Sequence, residues 1–159
     1  MATTVPSRLE GVALDAWRSY LQSHASILRA LDAELVAEQG MTARDYEVLL
    51  YLAQAEDRRL PMSALAESTM LTRSGITRLI DGLVANGLIE RVSCSADARV
   101  SYARLTDSGY EKLREAGCTH IAGIQRLFLE HFSTEELDTL ASLLSRLPGA
   151  SRAEQCTID

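Results

Sequence analysis

Cysteine and histidine are scarce in this 159-residue chain, and neither forms a ligand or redox cluster. The cysteines are Cys94, Cys118 and Cys156, an odd number spread far apart, which excludes a disulfide framework and any CxxC motif. The three histidines show no HxxxH or HxH spacing, so we expect no metal site. Reduced thiols of this kind fit a cytoplasmic protein.

Long apolar runs and enzyme signatures are also missing. No stretch is apolar for long enough to cross a bilayer, and the first ten residues lack a basic region followed by an apolar one, as a secretory signal would have. We therefore expect a cytoplasmic location. No GxSxG, HExxH, P-loop or GxGxxG motif occurs, so neither an enzyme nor a cofactor is expected.

Positive charge is in deficit overall, with a net charge of -6, but it is unevenly distributed. Residues 70–106 hold five arginines against Asp81, Glu90 and Asp97, whereas residues 107–159 hold nine acidic groups against five basic ones. Because salt screens charges beyond about 8–10 Å, a basic face on an acidic body can still bind a polyanion.

Apolar periodicity predicts mostly helices. Residues 9–39 repeat Leu and other apolar residues at helical spacing up to Gly40, and Thr42 with Asp45 predicts a capping box for the next helix. Ser63 is expected to cap a short helix, and further helices are expected over 73–86, 107–131 and from the Ser133 capping box to 147. Residues 88–92 and 100–105 are strand-like and predict a two-stranded hairpin, while 57–59 is expected to be a polar turn.

This order predicts a mainly α fold with a small β-hairpin wing, in which a winged helix-turn-helix is flanked by N- and C-terminal dimerisation helices. The expected divisions are an N-terminal helix at 1–41, a DNA-binding lobe at 42–106, dimerisation helices at 107–148 and a loose tail at 149–159. The long terminal helices carry apolar stripes that a chain of this size cannot bury alone, so we expect a homodimer.

The block from 63 to 106 holds the candidate functional residues. A short helix, a tight turn and a second helix form a helix-turn-helix whose second helix can enter the major groove of double-stranded DNA. Its N-terminal half offers hydroxyls and guanidinium groups, and Gly75 is expected to allow a close approach of DNA. The hairpin tip offers Arg99, braced by Asp97, for the minor groove. The candidate DNA contacts are Thr72, Arg73, Ser74, Thr77, Arg78, Arg91, Asp97 and Arg99.

The same block resembles the MarR family of winged-helix regulators over about two fifths of the chain. The matching segments are SALA at 63–66, LTRSGITRLIDGL at 71–83, NGLIER at 86–91, DAR at 97–99 and LTDSG at 105–109. The resemblance implies a homodimeric repressor on a pseudo-palindromic operator, released by a small, often phenolic or aromatic, ligand. Ala98 stands where the family often has a second arginine, so one phosphate contact is expected to be missing.

The resemblance puts the ligand between the dimer helices and the winged-helix lobe. Aromatic residues are only 5% of the chain, so Trp17 and Tyr20 on neighbouring positions of one helix face are noticeable. The candidate ligand contacts are Trp17, Arg18, Tyr20, His24 and Tyr46. Packing in the core or at a dimer interface is the favoured alternative for these aromatic residues.

Two other functions stay open. The chain could be a winged-helix module that binds a protein and has lost DNA binding, which the acidic total favours and the arginines of the predicted DNA face oppose. It could also be a regulator switched by oxidation of Cys94 at the wing tip, although no basic neighbour closer than Arg91 would lower the pKa of that thiol.

Overall fold

The computed structural model describes residues 8–69, 71–93 and 101–149, and the first two helices follow the sequence signals closely. Helix α1 spans Gly11–Gln39 and ends at Gly40, whose φ of 66° lies in the left-handed region. Helix α2 spans Ala43–Gln54. Both halves of the predicted capping box form: the Thr42 hydroxyl accepts from the Asp45 backbone N–H, and the Asp45 carboxylate accepts from that of Thr42.

The winged-helix lobe continues with α3 (Met62–Ser68), α4 (Arg73–Ala85) and strands β2 (Ile89–Ser93) and β3 (Ser101–Leu105). The expected cap at Ser63 is wrong. Helix α3 starts two residues earlier than a Ser63 cap would place it, directly after Pro61, and has no side-chain cap. The fixed φ of Pro61, which is also the last residue of a short strand, sets the start of this helix instead.

A third strand was not predicted. Strand β1 spans Arg59–Pro61 and pairs antiparallel with β3, so that Leu60 lies opposite Ala103 and the sheet order is β1-β3-β2. The polar turn expected at 57–59 lies one residue earlier, as a 3-10 turn over Glu56–Arg58. The strand was missed because three residues ending in proline carry no alternating pattern of their own, and their pairing depends on a distant partner.

The C-terminal helices complete the fold. Helix α5 spans Asp107–Leu127, a 3-10 turn follows at Leu129–His131, and α6 spans Thr134–Leu144 after the predicted Ser133 capping box. Helix α5 therefore ends four residues earlier than expected and α6 three residues earlier. Within the described ranges, no helix is long and apolar enough to span a membrane.

The core joins the lobe to the long helices. Its largest fully buried apolar side chains come from α1, α2, α3, α4, β2 and α5: Leu35, Val48, Leu49, Leu52, Leu65, Ile76, Ile80, Ile89 and Leu113. Helix α1 packs closely on α5, where a Cβ on Gly123 would lie 2.6 Å from the Leu31 Cδ2 atom. Leu35, near the C-terminal end of α1, lies in the same core as the side chains of the winged-helix lobe.

Gly109 provides a test of this packing. A Cβ there would lie 2.1 Å from the backbone oxygen of Leu88, whereas a Cβ on Gly82 of α4 would meet nothing within 4 Å. We expect Gly109→Ala to lower the free energy of unfolding by about 1–3 kcal/mol, since backbone must move. Gly82→Ala should raise it by about 0.5–1 kcal/mol through helix propensity. Urea unfolding at one protein concentration measures both, and equal effects of the two substitutions would contradict the packing.

Candidate nucleic-acid interface

The N-terminus of α4 is built around the hydroxyl of Thr72. This hydroxyl accepts from the Gly75 backbone N–H at 3.1 Å and lies 3.2 Å from the Ser74 hydroxyl. A Cβ on Gly75 would lie 3.2 Å from the Thr72 Oγ1 atom and in contact with Leu71. The missing side chain of Gly75 thus leaves room for the Thr72 cap.

Five of the predicted DNA-contacting residues line one open surface at this end of α4, which we call the α4 surface: Thr72, Arg73, Ser74, Thr77 and Arg78. Arg73, Ser74 and Arg78 are exposed, and the Thr77 hydroxyl donates to the backbone oxygen of Arg73 at 2.8 Å. No carboxylate among the described residues pairs with Arg73 or Arg78. The surface is therefore cationic and rich in hydroxyl groups.

Arg91, the sixth described candidate, lies on β2 beside this surface. It lines a neighbouring cleft of about 400 Å³ together with Arg73, Thr77 and Ser101. Its guanidinium group also donates to the Asp81 carboxylate of α4 at 2.6 Å. This ion pair was not predicted from the sequence. Asp97 and Arg99, the predicted wing contacts, and Cys94, the predicted redox residue, lie outside the described residues.

The predicted ligand residues do not form one site. On α1, the rings of Trp17 and Tyr20 lie 6.3 Å apart, and Tyr20 stacks on His24 at 5.9 Å. Tyr46 is instead buried in the core against His120, with ring centroids 4.8 Å apart. Arg18 is exposed on α1.

Tyr20 and His24 line an apolar groove of about 620 Å³ between α1, the end of α5 and α6. Its lining comprises Ala16, Ser19, Tyr20, Ser23, His24, Ile27, Leu28, Leu127, Phe128, His131, Phe132, Leu140 and Leu144. Trp17, Arg18 and Tyr46 are not part of this lining. None of the five predicted ligand residues lines a second cavity, of about 370 Å³, between α1, α2, α4 and α5.

His120 is a titratable group whose pKa is shifted by the fold. Burial lowers the pKa of its imidazole below the ordinary 6.5, and its buried Nδ1 has no hydrogen-bond partner among the described residues. Since the folded state favours the neutral ring, the unfolded chain binds the proton more readily. This contribution to stability is present above pH 6.5 and is lost as the pH falls from 6.5 through the lowered pKa.

We therefore expect the free energy of unfolding to fall between pH 7.5 and 5.5, and to fall less in His120→Phe. The substituted ring still packs on Tyr46 but cannot titrate, while every other titratable group is retained. Denaturant unfolding across this range, at one protein concentration, provides the comparison. Identical pH dependence in the two proteins would remove His120 as the cause.

Comparison with known proteins identifies the architecture. Residues 39–100 match the family model described as MarR family. The transcriptional repressor YetL of Bacillus subtilis is 31% identical over 111 residues, covering 70% of this chain and 66% of the repressor. AbsC, a MarR family transcriptional regulator from Streptomyces coelicolor, is 31% identical with a TM-score of 0.80, covering 87% of this chain and 93% of AbsC.

A second structure from Streptomyces coelicolor was solved with DNA. This is Sco3205, a MarR family transcriptional regulator, which is 30% identical with a TM-score of 0.82 and covers 91% of this chain and 90% of its own. The likeness thus extends over the long terminal helices as well as the winged-helix lobe. Sequence identity of about 30% across nearly the whole fold, with the family model on the lobe, shows that this chain belongs to the MarR family of transcriptional regulators.

Proposed function

We propose that this protein is a homodimeric repressor that binds a pseudo-palindromic operator, with α4 of each protomer in the major groove. The α4 surface is the observation that carries the proposal, because it gathers two arginines and three hydroxyl residues at one helix N-terminus. The repressor YetL and the DNA-bound Sco3205, both about 30% identical, support the same function.

The chemistry of the α4 surface suits a DNA groove. Arginine can donate two parallel hydrogen bonds to the O6 and N7 atoms of guanine, and hydroxyl groups can bind bases or phosphates. Helix α4 also directs the positive end of its dipole toward the ligand, which favours an anion. We assign the contacts with bases to Arg73, Ser74 and Arg78. We assign a contact with a phosphate to Thr72, whose capping hydroxyl accepts from the backbone and can still donate its own hydrogen. The Thr77 hydroxyl would have to release the backbone oxygen of Arg73 before it could donate to a phosphate.

We assign the apolar groove to a second copy of this chain. Its rim carries exposed apolar side chains from the N-terminal helix and from the C-terminal part of the chain, among them Tyr20, Leu28 and Phe132. Apolar patches that are exposed on a single chain are typical of protein–protein interfaces. Residues 1–41 and 107–148 then form the dimerisation region and 42–106 the DNA-binding lobe. Two such lobes read half-sites about 34–36 Å apart on one face of the duplex.

We assign control by a small aromatic or phenolic effector to the cavity between α1, α2, α4 and α5. Its lining includes Lys112 of α5 and Asn86 after α4, polar groups that suit a carboxylate or a phenol. A molecule there would contact the end of the recognition helix and the dimerisation helices at once, so it could change their relative position. Tyr20 and His24, in this assignment, pack at the dimer interface.

The effector assignment predicts the behaviour of Lys112→Ala. Lys112 donates to the Gln39 side chain at 3.1 Å and lines the cavity. We expect a hydroxybenzoate that releases the wild type from DNA to need at least about tenfold higher concentration for the variant, since one charge-assisted hydrogen bond is worth about 1.5–3 kcal/mol. Titration of the protein–DNA complex with the hydroxybenzoate measures this, and an unchanged midpoint would refute the assignment.

The function itself is tested with the DNA immediately upstream of the protein's own gene, labelled and mixed with excess random duplex. We expect specific binding that weakens steeply from 50 to 200 mM salt, because arginine–phosphate contacts release counterions. Binding equal to that of random DNA would place the operator elsewhere in the genome. Absence of binding to either duplex would contradict the proposal and favour a protein-binding winged helix.

A further inference from the structure

An acidic residue lies on the proposed DNA-binding face of α4. Ser74, Arg78 and Asp81 follow one another at spacings of four and three residues, so they share one face of the helix. All three are exposed. A carboxylate at this position repels the phosphate backbone, and it stands one turn beyond an arginine assigned to the bases.

The structure shows what this carboxylate does in the protein without DNA. Asp81 Oδ1 accepts from Nη2 of Arg91 at 2.6 Å, which joins the recognition helix to strand β2. Both side chains are open to solvent, with 60% of Asp81 and 36% of Arg91 exposed. Arg91 also lines the cleft that contains Arg73 and Thr77, so its guanidinium lies next to the α4 surface.

We propose that Asp81 is an internal competitor that holds Arg91 away from the DNA backbone and thereby limits affinity. This inference rests on the proposed DNA binding. Exposed ion pairs are weak, so a phosphate can displace the carboxylate. When Arg91 leaves Asp81, however, the carboxylate takes up a cation from solution, and this uptake offsets the counterion that the phosphate releases. Asp81 is thus a positioning residue that acts through Arg91.

The substitution Asp81→Asn should release Arg91 for a phosphate. We expect binding about two- to fivefold tighter per lobe at 50 mM salt, with a salt dependence steeper by about 0.9 in the logarithmic slope for each phosphate gained. The probe is a labelled, mixed-sequence duplex of about 30 base pairs, since phosphate contacts need no operator. Fluorescence anisotropy at several salt concentrations gives both quantities.

Three further variants isolate the mechanism. Arg91→Gln, alone and combined with Asp81→Asn, completes a double-mutant cycle. Glu90→Gln is the matched control, because Glu90 is the neighbouring residue on β2 and forms its own ion pair with Arg104 at 2.6 Å. Successive strand residues point to opposite faces, so this substitution removes a similar charge without touching Arg91. Thermal unfolding of each variant confirms that it is folded.

The proposal predicts that Asp81→Asn strengthens binding in the wild type but has little effect when Arg91 is glutamine. An equal gain in both backgrounds, or the same gain from Glu90→Gln, would reduce the effect to long-range repulsion and overturn the proposal. Weaker DNA binding by Asp81→Asn would also overturn the proposal, because it would show that the Asp81–Arg91 ion pair holds α4 and β2 in the arrangement that binds DNA. If the wild type does not bind the duplex at all, the proposed DNA binding itself is rejected. If the wild type binds but the effects of Asp81→Asn and Arg91→Gln are simply additive, only the role of Asp81 is rejected.

Discussion

Replacing Arg78 with alanine should strongly reduce operator binding. Arg78 is exposed, and no carboxylate among the described residues pairs with it. Loss of one good arginine contact costs about 1–3 kcal/mol. Because a dimer presents this residue twice, we expect affinity to fall by about 30-fold to 10⁴-fold. Competition between operator and random duplex measures both affinity and discrimination.

Two control variants separate base reading from charge. Arg78→Lys keeps the positive charge but cannot form two parallel hydrogen bonds, so it should retain binding to random DNA and lose discrimination. Arg114→Ala removes the same charge from an exposed position on α5, outside the lobe, and should have little effect. If Arg78→Ala and Arg114→Ala weaken binding equally, α4 does not read the groove.

Placing a carboxylate in the apolar groove should separate the protomers. Leu28 is 52% exposed and lines the groove, so Leu28→Glu leaves the core of the single chain intact. In a dimer the substitution buries two unpaired carboxylates, each at a cost of several kcal/mol. We expect a monomer at micromolar concentration and at least a 100-fold loss of operator affinity, since one lobe then binds alone.

Sedimentation velocity reports the oligomeric state, and the emission of Trp17, the single tryptophan of the chain, reports on the same helix face. Val36→Glu is the matched control. Val36 is also an exposed apolar residue of α1, 48% exposed, but it does not line the groove. A Leu28→Glu protein that remains dimeric, or a Val36→Glu protein that dissociates equally, would refute the groove as the dimer interface.

Local signals made most of the fold predictable. The capping boxes at Thr42 and Ser133 depend on residues within one helical turn, and both occur in the structure. Strand β1 depends instead on β3, more than forty residues away, and its own sequence gives no sign of the pairing. Ser63 was misplaced because the preceding proline and strand, rather than a hydroxyl cap, begin α3.

The part of the candidate site that depends on local spacing could also be predicted from the sequence. Thr72, Arg73, Ser74, Thr77 and Arg78 share one helix end, so helical spacing alone places them together. The ion pair between Asp81 and Arg91 joins helix α4 to strand β2. It could not be predicted, because it depends on the angle between that helix and that strand, which no local sequence pattern specifies.

The five predicted ligand residues do not share one surface of the single chain, for the same reason. Tyr46 was grouped with Trp17 and Tyr20 by residue type, but the packing of α2 on α5 buries it against His120. Residue type identified plausible binding chemistry, and only tertiary packing decided which side chains share a surface.

Selection of bound fragments from sheared genomic DNA is the most direct test of sequence-specific binding, because it presumes no operator. The wild-type protein is mixed with the fragments at 150 mM salt, and the retained DNA is sequenced against the input. We expect a few enriched sites that share an inverted repeat with half-site centres about 10 base pairs apart, and we expect no enrichment of these sites with Arg78→Ala. Retained DNA indistinguishable from the input would contradict a sequence-reading regulator.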